Sequence, residues 1–478
     1  MDHAGVWSLL PALVTLGLAL VSRKTFEALL GGCAVGFVLL EIRRSATAET
    51  SLLDVPKGAF NAFIAALTKV MADPVIGWII LVVGLFGSLI ALLVKAGGAL
   101  AFGQLLARHV RSRRGAMLSA YVLGLFIFID DYLNALTVGT SMRRLFDRFR
   151  ISRQMLAYVV DSTSAPVCVL VPFSTWAVYT AGLLEQGGMA TEGQGLQAYL
   201  QVIPYLFYPI AALIVLLLVI LGLIPIFGPL MKAEDNPSIP TAGPAGIRTL
   251  DEEQDSAVPI ERARALNFIL PILVLVFYTW YSGTDIPNGK WFGSVDALQG
   301  VMAAILVTSI LYLWQRITTV EEFSATFFAG FATMLVPLAI VISSFVLVEV
   351  NSALGLTQFV IEAAGDIMRP ALLPFIAFVS MGFVAFATGS FWGMYAVALP
   401  IIIPLANQLG VPAPLAVGAV ISAGAMGSHI CPFGDSTVLS STGAGCDNMS
   451  HVYTQMPYGL LSAGLAAIGY ALAGWLMI

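Results

Sequence analysis

Charge is what this sequence has least of. Of 478 residues, 11% are charged and 58% are hydrophobic, whereas soluble proteins carry about 25% charged residues. A soluble chain of this length could bury a large core but would still need a charged surface. An ordinary cytosolic enzyme and a disordered chain are therefore excluded. Lys and Arg number 23 against 28 Asp and Glu, so there is no basic face and no nucleic-acid partner is expected. Cysteine is scarce as well. Cys33, Cys168, Cys431 and Cys446 stand apart with no CxxC, which fits neither a disulfide framework nor a zinc site. Enzyme motifs are missing: there is no P-loop, no HExxH and no GxSxG. Pro432 stands where an intramembrane aspartyl protease motif would place a glycine before Gly434-Asp435. No enzyme activity and no cofactor are expected. What remains is an all-α polytopic protein whose surroundings are the lipid bilayer, expected as a multi-pass protein of the inner (cytoplasmic) membrane.

Runs long enough to span lie at 7–21, 25–41, 74–96, 154–182, 200–228, 265–283, 297–315, 327–349, 412–441 and 457–477. The first lacks a basic flank and is followed at once by a second apolar run, unlike a cleaved signal peptide. Residues 229–264 are rich in Pro, Gly and charge. They read as a mobile linker between a first half, 1–228, and a second half, 265–478.

The apolar stretch 115–141 is bracketed by Arg108, Arg111, Arg113 and Arg114 before it and Arg143, Arg144, Arg148, Arg150 and Arg153 after it. Basic flanks stay in the cytoplasm, and one span cannot have both ends on one side. A re-entrant hairpin satisfies both flanks, with its turn near Ile129–Tyr132. Two arms of about 12 residues reach about 18 Å, roughly the midplane of a ~30 Å core. The competing reading is an ordinary span with one exceptional Arg cluster.

The halves echo each other. Residues 95–106 resemble 349–360, and Val171-Pro-Phe-Ser-Thr175 resembles Cys431-Pro-Phe-Gly-Asp-Ser-Thr437. Such echoes suggest an internal repeat, although short apolar matches also arise by chance. Residues 154–231 contain no Lys or Arg, which places the loop 185–195 outside and the linker inside. Arg43 and Arg44 then fall outside, against the scheme. Counting forward puts a second hairpin, 371–404, on the outer side, so the halves would be inverted repeats. Each would hold a hairpin and a broken transmembrane helix.

Ionisable residues at membrane depth are functional hypotheses by default. Asp130, Asp131, Asp161 and Asp435 qualify, with no Lys or Arg in the same stretches. An unpaired buried acid must stay protonated or bind a cation, and a sodium- or proton-coupled carrier needs one of these states. In FIFIDDYLNALTVG, Asp131, Asn134 and Thr137 or Val138 follow helical spacing, so a carboxylate and an amide share one face and offer Na⁺ oxygen ligands. Asp130 or Asp131 could instead cap a helix. In DSTSAPVCVLVPFSTW, Pro166 and Pro172 break the span, and Ser162, Thr163, Ser174 and Thr175 join the freed carbonyls as candidate ligands. A healed proline kink is the alternative. Thr388, Gly389 and Ser390 form the tip of the second hairpin, or serve helix packing. His429, Asp435, Ser436 and Thr437 break the last polar span. A histidine ordinarily titrates near neutral pH, so His429 could sense or carry protons, but a membrane histidine is as often a packed, hydrogen-bonded side chain. Trp176 and Trp392 lie beside these sites, as substrate-stacking rings or as core residues.

The residues FIDDYLNALTVG and RRLFDRFRISRQMLAYVVDSTSAPVCVLVPFSTW, with ICPFGDSTVLSSTGAGCDNMSHVYTQMPY near the C-terminus, resemble the NhaC family of Na⁺/H⁺ antiporters. The resemblance implies the ion-transporter superfamily fold, with inverted repeats, two re-entrant hairpins and an elevator-like scaffold plus transport domain, often as a homodimer. It implies Na⁺ and H⁺ as coupling ions, with Na⁺ at Asp131, Asn134 and Asp435. Relatives also move small carboxylates or amino acids, so a Na⁺- or H⁺-coupled carrier or exchanger of a small organic solute is the second reading. A channel or membrane enzyme is a third, disfavoured by the doubled architecture.

Overall fold

The computed structural model describes residues 3–22, 24–48, 52–107, 110–191, 193–235, 264–281, 297–365, 369–389, 391–432 and 434–478. Among these, every regular element is a helix. Among the described residues eight helical segments are long and apolar enough to cross a membrane, or nine if the pair Gly195–Tyr205 and Phe207–Leu221, bent by 52°, counts as one. Pro370–Thr388 and Phe391–Leu409, the arms expected as a re-entrant hairpin, are each long enough to cross.

The first half runs α1 Leu10–Ser22, α2 Thr25–Ala48, α3 Val55–Met71, α4 Pro74–Lys95, α5 Gly98–Ala107, α6 Arg113–Phe126 and α7 Asp131–Arg148. It continues α8 Arg153–Ser162, α9 Ala165–Leu170, α10 Thr175–Gln186, α11 Gly195–Val202, α12 Phe207–Leu221 and α13 Gly228–Asp235. The second half runs α14 Leu266–Tyr281, α15 Ala297–Trp314, α16 Val320–Thr333, α17 Leu335–Ala353, α18 Leu356–Gly365, α19 Leu373–Thr388 and α20 Phe391–Leu409. It ends α21 Ala413–Ile430, α22 Asp435–Ala444 and α23 Asn448–Met477.

Local chemistry sets the boundaries. Side-chain oxygens of Asp73, Ser112, Asp130, Ser152 and Ser174 accept from backbone N–H groups at the starts of α4, α6, α7, α8 and α10. Gly222, Gly389 and Gly445 end α12, α19 and α22 in the left-handed conformation.

Contacts recur with the halves exchanged. α1 packs on α2 as α14 does on α15, and α17 packs on α2 and α3 as α4 does on α15 and α16. α5 meets α7 and α14, while α18 meets α20 and the 3-10 turn Gly5–Leu9.

The chain turns back twice. Arg113 at the start of α6 donates to the Arg150 carbonyl just beyond α7, at 3.3 Å, so the two arms share one base. The thirty-residue α23 measures the distance between the two bases. It starts with Ser450 accepting from Gln154 Nε2 at 3.1 Å, beside the first base. It ends with Gly474 packed on the Ala371 carbonyl, at the start of α19. At 1.5 Å per residue the 24 residues from Ser450 to Gly474 separate them by about 36 Å. Ile403, in the later turns of α20, packs on Gly187, the residue that follows α10.

Three boundaries differ from the sequence expectation. Residues 229–235 of the expected linker belong to α13, because Glu234 is buried against Arg113 and Ser152. The expected span 327–349 is part of a 34-residue run, Val320–Ala353. The last helix starts at Asn448 rather than 457, capped by Asp447, whose carboxylate accepts from Ser450 N at 2.8 Å. The rest of the linker, 236–263, and Ser390 lie outside the described residues.

Candidate functional site

The breaks of two crossing segments and the tip of the first hairpin meet inside the helix bundle. The segment α8–α10 is interrupted at Thr163–Ser164 and again at Val171–Ser174, and α21–α22 at Cys431–Gly434. Broken helices leave backbone groups unpaired, and nearby side chains must satisfy them.

At the hairpin tip, Asp130 caps α7. One carboxylate oxygen accepts from Tyr132 N at 3.0 Å and Leu133 N at 3.1 Å. The other accepts from Thr175 Oγ1 at 3.2 Å. The capping alternative therefore holds for Asp130. Asp131 turns inward and its Oδ1 accepts from the Trp176 indole N–H at 3.0 Å. Its carbonyl accepts from Ser164 Oγ at 2.7 Å. Trp176 is fully buried and stacks on Phe391, the first residue of α20, with centroids 3.4 Å apart. Thus a residue of α10 joins the start of α7 to the start of α20. Trp392 is half-buried beside Phe391 and Tyr179, and its carbonyl accepts from Tyr179 OH at 2.7 Å.

Asn134 has a structural task through its amide nitrogen. Its amide nitrogen donates to the carbonyls of Gly124, Ile127 and Thr163 at 2.8, 2.9 and 2.7 Å. It ties the end of α6 to the break after α8, while its Oδ1 is buried without a partner. Four other predicted ligands also serve the backbone. Thr163 Oγ1 donates to Val159 O at 2.9 Å. Thr388 Oγ1 donates to Val384 O at 2.9 Å. Ser174 caps α10 and donates to Cys168 O. Thr437 Oγ1 donates to Ser428 O at 3.0 Å, closing the α21–α22 break. Gly389, with φ +67°, supplies the left-handed turn after α19. Thr137 is buried on α7.

A second acid cluster surrounds Asp161, which is fully buried. Oδ1 accepts from Ser436 Oγ at 2.8 Å, and Oδ2 accepts from Gln455 Nε2 at 2.8 Å. His451 Nε2 lies 3.2 Å from Oδ2. Gln455 also donates to the His429 carbonyl. The His429 ring is held on both sides, by Ser162 Oγ at 2.9 Å and Tyr208 OH at 2.7 Å. His429 is thus one of the packed, hydrogen-bonded histidines.

Asp435, the first residue of α22, is exposed beside the α6–α7 turn. Tyr132 OH donates to its Oδ2 at 2.7 Å. Tyr132 follows Asp131, and Ser436 follows Asp435, so the first turn of α22 touches both acid clusters. Among the described residues no three His, Cys, Asp or Glu side chains group into a metal site. A cation here would use one or two carboxylates with hydroxyl and carbonyl oxygens, as a hard ion does.

Sequence reasoning missed Tyr132, His451, Gln455 and Phe391. His451 and Gln455 are spaced i, i+4 within an apolar stretch, a signal of one polar helical face. It was hidden because the span was read as starting at 457.

Eight or more apolar helices, two of the crossing segments interrupted by polar residues at the site, define a multi-pass membrane transporter. The comparisons carry this to a family: residues 167–475 match the model of the Na⁺/H⁺ antiporter family, and the chain belongs to it. An uncharacterized protein of Haemophilus influenzae is 29% identical over 498 residues, covering 99% of this chain and 91% of its own. The malate-2H⁺/Na⁺-lactate antiporter of Bacillus subtilis is 26% identical over 218 residues, covering 43% of this chain and 39% of its own. The arginine/ornithine antiporter ArcD of Halobacterium salinarum is 30% identical over 123 residues, 25% of each. In fold, the chain is similar to the YdaH transporter of Alcanivorax borkumensis, with a TM-score of 0.61 at 12% identity, covering 92% of this chain and 97% of that one. It is also similar to Neisseria gonorrhoeae MtrF, with a TM-score of 0.56 at 15% identity, covering 88% and 84%. The chain is a secondary transporter of this family.

Proposed function

We propose that the protein exchanges Na⁺ for H⁺ across the inner membrane, loading its acid clusters alternately. The observation that carries this reading is the convergence of Asp131, Asp161 and Asp435 on the first turn of α22. No Lys or Arg occurs in 154–231 or 370–478 to neutralise these acids from the broken spans. Asp161 accepts from hydroxyl and amide donors, which suits the ionised form. Asp131 and the exposed Asp435 offer carboxylate oxygens on either side of Tyr132. The exchanged contact pattern and the two hairpin bases at opposite ends of α23 support inverted halves, 1–228 and 265–478, working by alternating access; a homodimer is part of the same proposal. In proteoliposomes, an imposed Na⁺ gradient should drive proton movement, and Asp131→Asn or Asp161→Asn should abolish it. Undiminished exchange in both variants would reject the assignment.

A second reading, exchange of a small organic solute coupled to Na⁺ or H⁺, draws on two relatives named for carboxylate and amino-acid antiport. The half-buried Trp392 at the second hairpin tip offers such a solute a ring face. Counterflow of labelled carboxylic and amino acids separates the two readings.

A further inference from the structure

We propose that Arg143 and Arg153 are positioning residues that set the geometry of the transport site from the cytoplasmic end of α22. This rests on the site proposed above.

The half-helix α22 is ten residues long and is cut off from α21 by the break at Cys431–Gly434. It is a rigid rod of about 15 Å, so a displacement at one end is delivered to the other. Its first turn carries Asp435, hydrogen-bonded to Tyr132, and Ser436, hydrogen-bonded to Asp161. At its far end the last carbonyls of a helix have no intrahelical partner. Arg143, on α7, takes two of them: Nε donates to Gly443 O at 2.7 Å and Nη2 to Thr442 O at 2.5 Å. Arg153, at the start of α8, takes the third, Nη1 donating to Ala444 O at 2.8 Å, while Nη2 pairs with Asp147 at 2.6 Å.

The guanidinium fork suits two neighbouring carbonyls, and its charge opposes the negative end of the helix dipole. Gly139 and Gly443 let α7 and α22 touch backbone to backbone at this level. α22 is therefore fastened to α7 at both ends, by Tyr132 and Asp435 at the site and by Arg143 at the base, where Arg153 of α8 adds a second anchor. The counterpart contact of α10 with α20 is held instead by Tyr179 donating to Trp392 O. The charged clamp thus gives the cytoplasmic half a fixed register of its own.

The test uses the full chain in proteoliposomes. Arg143→Gln and Arg153→Gln should each raise the KM for Na⁺ about tenfold with kcat within about twofold, measured per folded protein, the signature of lost binding geometry. Arg143→Lys should recover only part of the affinity, since an ammonium cannot span two carbonyls. A second readout does not depend on the ion. Ser436 is fully buried, and thiol labelling of Ser436→Cys should accelerate when the clamp is removed. Unchanged KM and unchanged labelling in the double Gln variant would overturn the proposal. Activity that falls only in step with the folded fraction would do the same. If the Gln variants do not fold, Arg143→Lys gives the same comparison. If wild-type protein moves no Na⁺, the exchange reading fails while the labelling still decides the clamp.

Discussion

The indole N–H of Trp176 donates to the Asp131 carboxylate at 3.0 Å, and the same ring stacks on Phe391. One side chain of α10 thereby fixes a candidate ligand on the first hairpin and packs on the first residue after the second hairpin's tip. Trp176→Phe keeps the aromatic ring but removes the donor. A hydrogen bond to a charged group contributes about 1.5–3 kcal/mol, so apparent Na⁺ affinity should fall about 10- to 100-fold. Trp176→Leu should lose thermal stability as well, since stacking goes too. Equal Na⁺ affinity in Trp176→Phe and wild type would show that Asp131 is not part of the site.

Asn134 separates a ligand from a clamp. If it bound the cation, Asn134→Asp would add charge and keep or raise Na⁺ affinity. With its amide donating to Gly124, Ile127 and Thr163 carbonyls, a carboxylate would set an anion against three acceptors. Leaving a buried group unpaired costs about 1–3 kcal/mol each. Asn134→Asp should therefore lower the melting temperature more than Asn134→Ala, with little folded protein recovered. A stable Asn134→Asp with strengthened Na⁺ binding would reverse the assignment.

Much of this was legible in the sequence. The nine flanking arginines predicted that the arms of 115–141 share a base, and Arg113 does donate to the Arg150 carbonyl. Four acids were singled out, and the structure sets three of them, Asp131, Asp161 and Asp435, around one half-helix. Individual roles were not legible. Ser, Thr and Asn can coordinate ions or repair broken backbone, and the choice depends on which carbonyls the fold leaves nearby. Ser174, Thr163 and Asn134 went to repair. His451 and Gln455 were hidden because apolar composition alone does not mark where a helix starts.

Gly139 and Gly443 place α7 and α22 in backbone contact. A Cβ on Gly139 would come within 2.7 Å of the Gly443 Cα, closer than side chains approach a backbone, so the helices would have to separate. Overpacking of this kind typically costs about 1–3 kcal/mol. Gly139→Ala should lower thermal stability and weaken Na⁺ binding together, since the same shift pulls Tyr132 from Asp435. Gly464→Ala, on α23 with open space around its Cβ, is the control and should leave both unchanged.

Asp161 and Gln455 give the sharpest test of the second cluster. Gln455 Nε2 donates both to Asp161 and to the His429 carbonyl, so it joins α8, α21 and α23 at one point. Gln455→Leu keeps the bulk and removes both hydrogen bonds. Two buried acceptors then lose a donor, at about 1–3 kcal/mol each, so the melting temperature should drop and exchange should fall at least tenfold. Asp161→Asn should behave differently. It keeps the shape, and its one amide oxygen can accept from Gln455 while its Nδ2 donates to the Ser436 hydroxyl, so the protein should fold, yet it carries no charge to balance a proton or a cation. Folded Asp161→Asn that still couples Na⁺ to proton movement would show that this cluster only braces the helices. The transport chemistry would then rest on Asp131 and Asp435 alone.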